Sequence, residues 1–129
     1  MLWVDALDNK QAVTALFPHY DDFVHVDLHE LTAHRDGPVL RLWFDVRRAP
    51  APLPDKWPEG SNTTQFLVTI WQIKDLEVYG WAKALAGELR IAPTDAGYQL
   101  GFFSAECRFT VRCALLHVER ITGYMNRQR

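Results

Sequence analysis

Apolar and polar residues alternate along much of this chain. Between Phe23 and Ala33, Val24, Val26 and Leu28 alternate with His25, Asp27 and His29. A period of two turns successive side chains to opposite faces, so this run predicts a half-buried strand. Leu40, Leu42, Phe44 and Val46 alternate in the same way with Arg41, Trp43, Asp45 and Arg47. Asp36–Gly37–Pro38 lies between the two runs as a turn signal, and together they predict an antiparallel hairpin. From Gln65 to Ile73 both phases are largely apolar: Phe66, Val68 and Ile70 on one, Leu67, Trp71 and Ile73 on the other. A strand of that kind is expected at the centre of a sheet, covered on both sides.

The remaining pattern predicts a short extended piece at Leu76–Tyr79, one helical turn at Ala82–Leu85, and strands over Glu88–Ala92, Tyr98–Ser104 and Glu106–Glu119. Near the N-terminus, Asp8 or Asn9 is placed to cap a helix running to Leu16, with Ala12, Val13, Ala15 and Leu16 on its apolar face. Pro18 ends it, because the residue before a proline avoids the helical region. Residues 49–62 carry Pro50, Pro52, Pro54 and Pro58. Proline supplies no ladder donor, so this stretch is a loop outside the sheet, with Trp57 as its anchor. The expected fold is α+β, mainly β: one domain over residues 1–129, a single twisted antiparallel sheet of about six strands, and a short N-terminal helix.

Composition fits one ordinary core. The chain has 129 residues, 48% hydrophobic and 23% charged. No apolar run approaches the roughly 20 residues that span a bilayer. The start lacks the basic and apolar regions of a signal peptide, so the expected location is cytoplasmic, with no membrane partner. Cys107 and Cys113, on one continuous strand, would stand roughly 20 Å apart. A disulfide needs Cα atoms within about 7 Å, so both are expected to be free thiols.

The net charge of −2 gives no reason to expect nucleic-acid binding, but its distribution is uneven. Residues 1–36 hold seven acids and two bases; the rest holds nine acids and twelve bases. An acidic block of this kind can steer a basic partner.

Catalytic patterns are weak. His25, Asp27 and His29 would share one strand face, but about 6.8 Å separates successive members, too far to hold one ion without a bend. His19 or His34 would have to complete such a site. Cys107 and His117 lie ten residues apart on one expected strand, beyond the reach a nucleophile and base require. The glycines are scattered and form no phosphate-binding loop. We therefore expect no catalytic residue, metal or cofactor. Trp43, Trp57 and Trp81 could instead wall a small-ligand pocket, the alternative to a protein-binding role. Trp43 with Arg41 and Arg47 is the expected exposed aromatic and cation group.

Several residues occur in a recognisable order. They are Leu16–Phe17–Pro18 after the short helix, Val39–Asp45 as a strand, Pro54–Asp55–Lys56–Trp57, Asn62–Thr63, the strand to Ile73, Lys74–Asp75–Leu76, and Gly80–Trp81. In this order the chain resembles the immunity protein 50 family of bacterial polymorphic toxin systems. A His-Asp pair found after the Phe-Pro in that family is approximated here by His19–Tyr20–Asp21–Asp22. The resemblance implies a cytoplasmic, non-enzymatic inhibitor that binds a cognate toxin domain, acting as a monomer or weak homodimer. Asp21, Asp22, Asp27 and Glu30 are the expected toxin contacts, and the loop residues Asp55, Lys56, Trp57 and Glu59 form a second candidate surface.

Overall fold

The computed structural model describes residues 1–127. A 3-10 turn (Trp3–Ala6) and a one-turn helix α1 (Gln11–Thr14) precede eight strands. These are β1 (His25–His34), β2 (Val39–Val46), β3 (Thr63–Trp71), β4 (Lys74–Tyr79), β5 (Ala86–Thr94), β6 (Gly97–Ser104), β7 (Arg108–Cys113) and β8 (Leu115–Tyr124). All pair antiparallel in one sheet of order β4-β7-β6-β5-β1-β2-β3-β8.

The expected fold class holds, but the sheet has eight strands and not about six. Two local features account for the difference. The run Glu106–Glu119 is not one strand: it breaks at Ala114, whose amide donates to the Trp71 carbonyl at 3.1 Å. The short piece at Leu76–Tyr79 begins at Lys74 and is a full edge strand on β7. The segment Ala82–Leu85 holds no helical turn. It crosses back to β5, and the Leu85 carbonyl accepts from the Leu28 amide at 3.0 Å.

Asn9 does not cap α1. Its side chain donates to the Val118 carbonyl at 2.9 Å and accepts from the Val118 amide at 3.0 Å. Asp8 donates its amide to Leu116, beside a parallel bridge between Leu7 and Leu116. The N-terminal segment thereby covers part of the β8 edge, satisfying groups that an edge strand leaves open.

Connection lengths show how strongly the sheet curls. β3 and β4 stand six positions apart, which in a flat sheet is about 29 Å. Only Gln72 and Ile73 link them, a reach of about 11 Å. β7 and β8 are also six positions apart and are joined through Ala114 alone. The sheet must therefore roll into two leaves, β1-β2-β3-β8 and β4-β7-β6-β5, with two chain corners passing from one to the other. Gln72 turns its corner at φ 55°. The leaves also pair directly, but only through His25–Asp27 of β1 and Ala86–Glu88 of β5.

The inner faces of both leaves contribute to one core. Leu40, Leu42, Phe44, Phe66, Ile70 and Leu116 come from the first leaf, and Leu89, Leu100, Phe102, Phe109 and Val111 from the second. The N-terminal segment adds Trp3, Val13, Phe17 and Phe23. Trp3 packs edge-on against Phe44 and Phe66, with ring centroids at 5.0 and 5.1 Å. Its indole N–H donates to the Phe23 carbonyl at 2.8 Å, so the ring is buried without an unpaired donor. β3 is not at the expected centre of the sheet but second from one edge, between β2 and β8; it is covered on both faces, for Leu67 and Thr69, on the phase opposite the core, are also buried.

Candidate functional site

The four acids expected to meet a partner fall into two pairs. Asp22 and Asp27 line a cleft of about 400 Å³ beside the junction of β1 and β5, together with His25, Arg47, Arg48 and Glu88. Neither carboxylate is free. Asp22 accepts from Arg48 at 2.7 Å and Asp27 from Arg47 at 2.9 Å. Asp21 is exposed and, among the described residues, makes no ion pair. Glu30 is exposed on β1 and accepts from the Thr32 hydroxyl at 3.3 Å. The acidic block is thus partly neutralised by arginines from the end of β2, which lowers its field without abolishing it.

Arg48 also holds the N-terminal segment in place. Its guanidinium lies 5.3 Å from the centroid of Phe17 and 5.2 Å from that of Phe23, and it donates to the His19 carbonyl at 2.9 Å. One cation thereby fixes three parts of the segment that carries Asp21 and Asp22.

The outer face of the first leaf hides a polar hub that alternation alone reads as a solvent position. Asp45 is 1% exposed. It accepts from the Gln65 amide at 3.1 Å and from the Tyr124 hydroxyl, and it bonds His29 Nε2 at 2.8 Å. Burial and the Asp45 bond push the Tyr124 phenol far above the ordinary tyrosine range. A one-residue register shift between Leu28 and Glu30 lies at His29, beside Asp45. Asp27 is bound to Arg47 and His29 to Asp45, and among the described residues no three His, Cys, Asp or Glu side chains converge to hold a metal ion.

The tryptophans do not share one pocket. Trp43 lies on the outer face of β2, with the Arg120 guanidinium of β8 5.8 Å from its ring centroid. Trp57 packs against Gly123 of β8, which stands opposite Thr64 on a core-facing position. Trp81 sits on the crossover between β4 and β5, 53% exposed. In the proline loop, Asp55, Lys56 and Glu59 are exposed, while Trp57 is half-buried and holds the loop down.

A second exposed group lies on the other leaf. Tyr79 of β4, Arg108 of β7 and Phe103 of β6 are register partners in one row, which continues to Glu88 of β5 and His25 of β1. Tyr79 is 56% exposed and Phe103 40%. The Arg108 guanidinium lies 5.1 Å from the Tyr79 ring centroid, a cation–π contact. Trp81 and the exposed Val78 flank Tyr79 in sequence. One signal for this group was present in the sequence. Phe102 and Phe103 are adjacent, and successive strand residues face opposite ways, so only one ring can enter the core.

The potentially reactive groups serve the fold. Cys107 and Cys113 are buried free thiols; burial raises both, and Cys113 reaches about 11. Nearly all Cys113 is therefore protonated at neutral pH, a poor state for a nucleophile. His117 Nδ1 bonds Asp8 at 2.7 Å, on a different leaf from Cys107.

No described helix is long and apolar enough to cross a membrane. No curated protein and no solved structure matches this sequence significantly. A family model, that of immunity protein 50, matches residues 9–124, nearly the whole length. The chain belongs to the immunity protein 50 family.

Proposed function

We propose that this protein protects a bacterial cell by binding a cognate toxin domain in the cytoplasm and blocking it through direct contact. The observation that carries the reading is family membership across residues 9–124. The side-chain chemistry agrees with a binding role. The thiols are buried, and the two histidines bonded to carboxylates, His29 and His117, are held in the fold. The protein acts as a monomer or weak homodimer and needs no cofactor, nucleic acid or membrane.

Asp21, Asp22, Asp27 and Glu30 supply the acidic character of the contact. Because Asp22 and Asp27 are already bound to arginines, their contribution is mainly to association rate and orientation, the usual effect of partly screened charges. The proline loop, through Asp55, Lys56 and Glu59 on the Trp57 anchor, is a second contact candidate. Co-expression with the toxin domain encoded beside this gene tests the reading: the chain should restore growth and co-purify with that domain.

A further inference from the structure

The geometry points to one docking face for the toxin domain: the row Tyr79–Arg108–Phe103 with Trp81 beside it, continuing into the cleft at Asp22 and Asp27. This inference rests on the immunity reading and adds the surface, the anchor residues and the chemistry the partner must present.

The first reason is exposure of a large apolar group in one place. Tyr79, Trp81 and Phe103 are each at least 40% exposed, and all three are aromatic. A contiguous patch of this kind marks an interaction site more often than scattered surface residues do. Its composition, with Trp, Tyr and Arg together, is that of interface anchors. A hollow of about 350 Å³ lies next to it, formed by Tyr79, Gly80 and the Ser104–Arg108 turn. The face therefore offers both protruding rings and a recess for a partner side chain.

The second reason is continuity. The row does not end at Phe103 but runs through Glu88 to His25, and both of those residues line the charged cleft. Four strand spacings separate Tyr79 from His25, about 19 Å, a span suited to an ordinary protein interface. The two ends differ in charge. Among the described residues no carboxylate pairs with Arg108 or with Lys83, whereas the far end carries Asp22 and Asp27, each matched by one arginine, and the adjacent Asp21, which makes no ion pair. A complementary toxin domain presents an apolar surface with a carboxylate facing Arg108 and basic groups facing the cleft. That asymmetry fixes one orientation.

Other modes of contact fit less well. β4 is a free edge, but its pairing is irregular between Lys74 and Glu77 and Asp75 adopts φ 54°. A bulged edge resists addition of another strand. A symmetric contact of two copies centred on the row would bring Arg108 against its own equivalent.

The test is titration calorimetry with a catalytically inactivated toxin domain from the adjacent gene. Arg108→Glu, Trp81→Ser and Tyr79→Ser should each weaken binding by about 30-fold or more. Arg35→Glu, at the tip of the β1–β2 hairpin, should change it less than about threefold. Thermal melts confirm that each variant is folded, and analytical ultracentrifugation reports self-association. If the wild-type chain binds and all three variants bind equally well, the docking face is wrong and the immunity reading stands. If the variants abolish self-association and leave toxin binding intact, the patch joins two copies and the proposal is overturned. If the wild-type chain does not bind, the immunity reading falls and the docking face falls with it.

Discussion

The indole of Trp57 occupies the space that a side chain at position 123 would need, and Gly123 leaves it open. A Cβ built on Gly123 would overlap Trp57 Cε3 and lie 2.6 Å from Cζ3. The proline loop is therefore docked on β8 through the absence of a side chain. Glycine inside a strand often has this meaning: another group approaches its backbone closely.

Replacing Gly123 by alanine should cost about 1–3 kcal/mol, because the ring must move from a packed position. Trp57→Ala should cost about 2–3 kcal/mol, less than a fully buried large ring since Trp57 is only half-buried. Urea unfolding of the double variant provides the check. In the Trp57→Ala background, Gly123→Ala should cost far less than alone, since the collision is gone. Fully additive costs would mean that the two positions do not compete for one space.

Arg48→Ala should destabilise the protein by about 1–3 kcal/mol, through loss of its stacking on Phe17 and Phe23 and of its bonds to His19 and Asp22. Arg48→Lys should recover only part, because an ammonium cannot stack as a planar guanidinium does. Amide hydrogen exchange should show the loss first in residues 17–23. Uniform loss of protection across the sheet would contradict a local role.

Asp45→Ala should cost about 2–3 kcal/mol, leaving the Tyr124 hydroxyl and the Gln65 amide without their shared acceptor. His29→Ala should cost less, because His29 is half-exposed and water can replace it. Denaturant midpoints for the two variants settle the order, and a larger loss from His29→Ala would reverse the account of the hub.

Stability should fall at alkaline pH. Tyr124 and Cys113 both have raised values in the folded protein, Cys113 reaching about 11 from an ordinary 9.0. Each therefore keeps its proton more firmly when folded than when unfolded. The resulting stability is fully present below the unfolded value and is lost as pH rises toward the folded one. Denaturant midpoints should decline from about pH 9 upward. Tyr124→Phe and Cys113→Ala should each flatten that decline relative to their own value at pH 7. An unchanged alkaline slope in both variants would exclude these groups as its source.

Much of the fold was legible in the sequence because alternation reports directly on burial. The β1–β2 hairpin, a β3 buried on both faces and the proline loop follow from it. The split between β7 and β8 was not legible. The apolar residues continue through Ala114, and the break arises from curling of the sheet, which depends on strands distant in sequence. The N-terminal cap failed for a similar reason, since Asn9 bonds to Val118, more than a hundred positions away. Asp45 looked solvent-facing because its partners, His29, Gln65 and Tyr124, come from three other strands. For the candidate surface, the acids were visible as a block, but their pairing with Arg47 and Arg48 was not. Tyr79, Arg108 and Phe103 meet only through sheet register, so their spacing along the chain carries no sign of the row.

The most direct test of the central claim is growth of cells expressing the active toxin domain from the neighbouring gene, with and without this chain. The account predicts that the chain restores growth and that the two proteins elute together as a stable complex at physiological salt. Undiminished toxicity in cells that accumulate the folded chain, with no complex recovered, would contradict it.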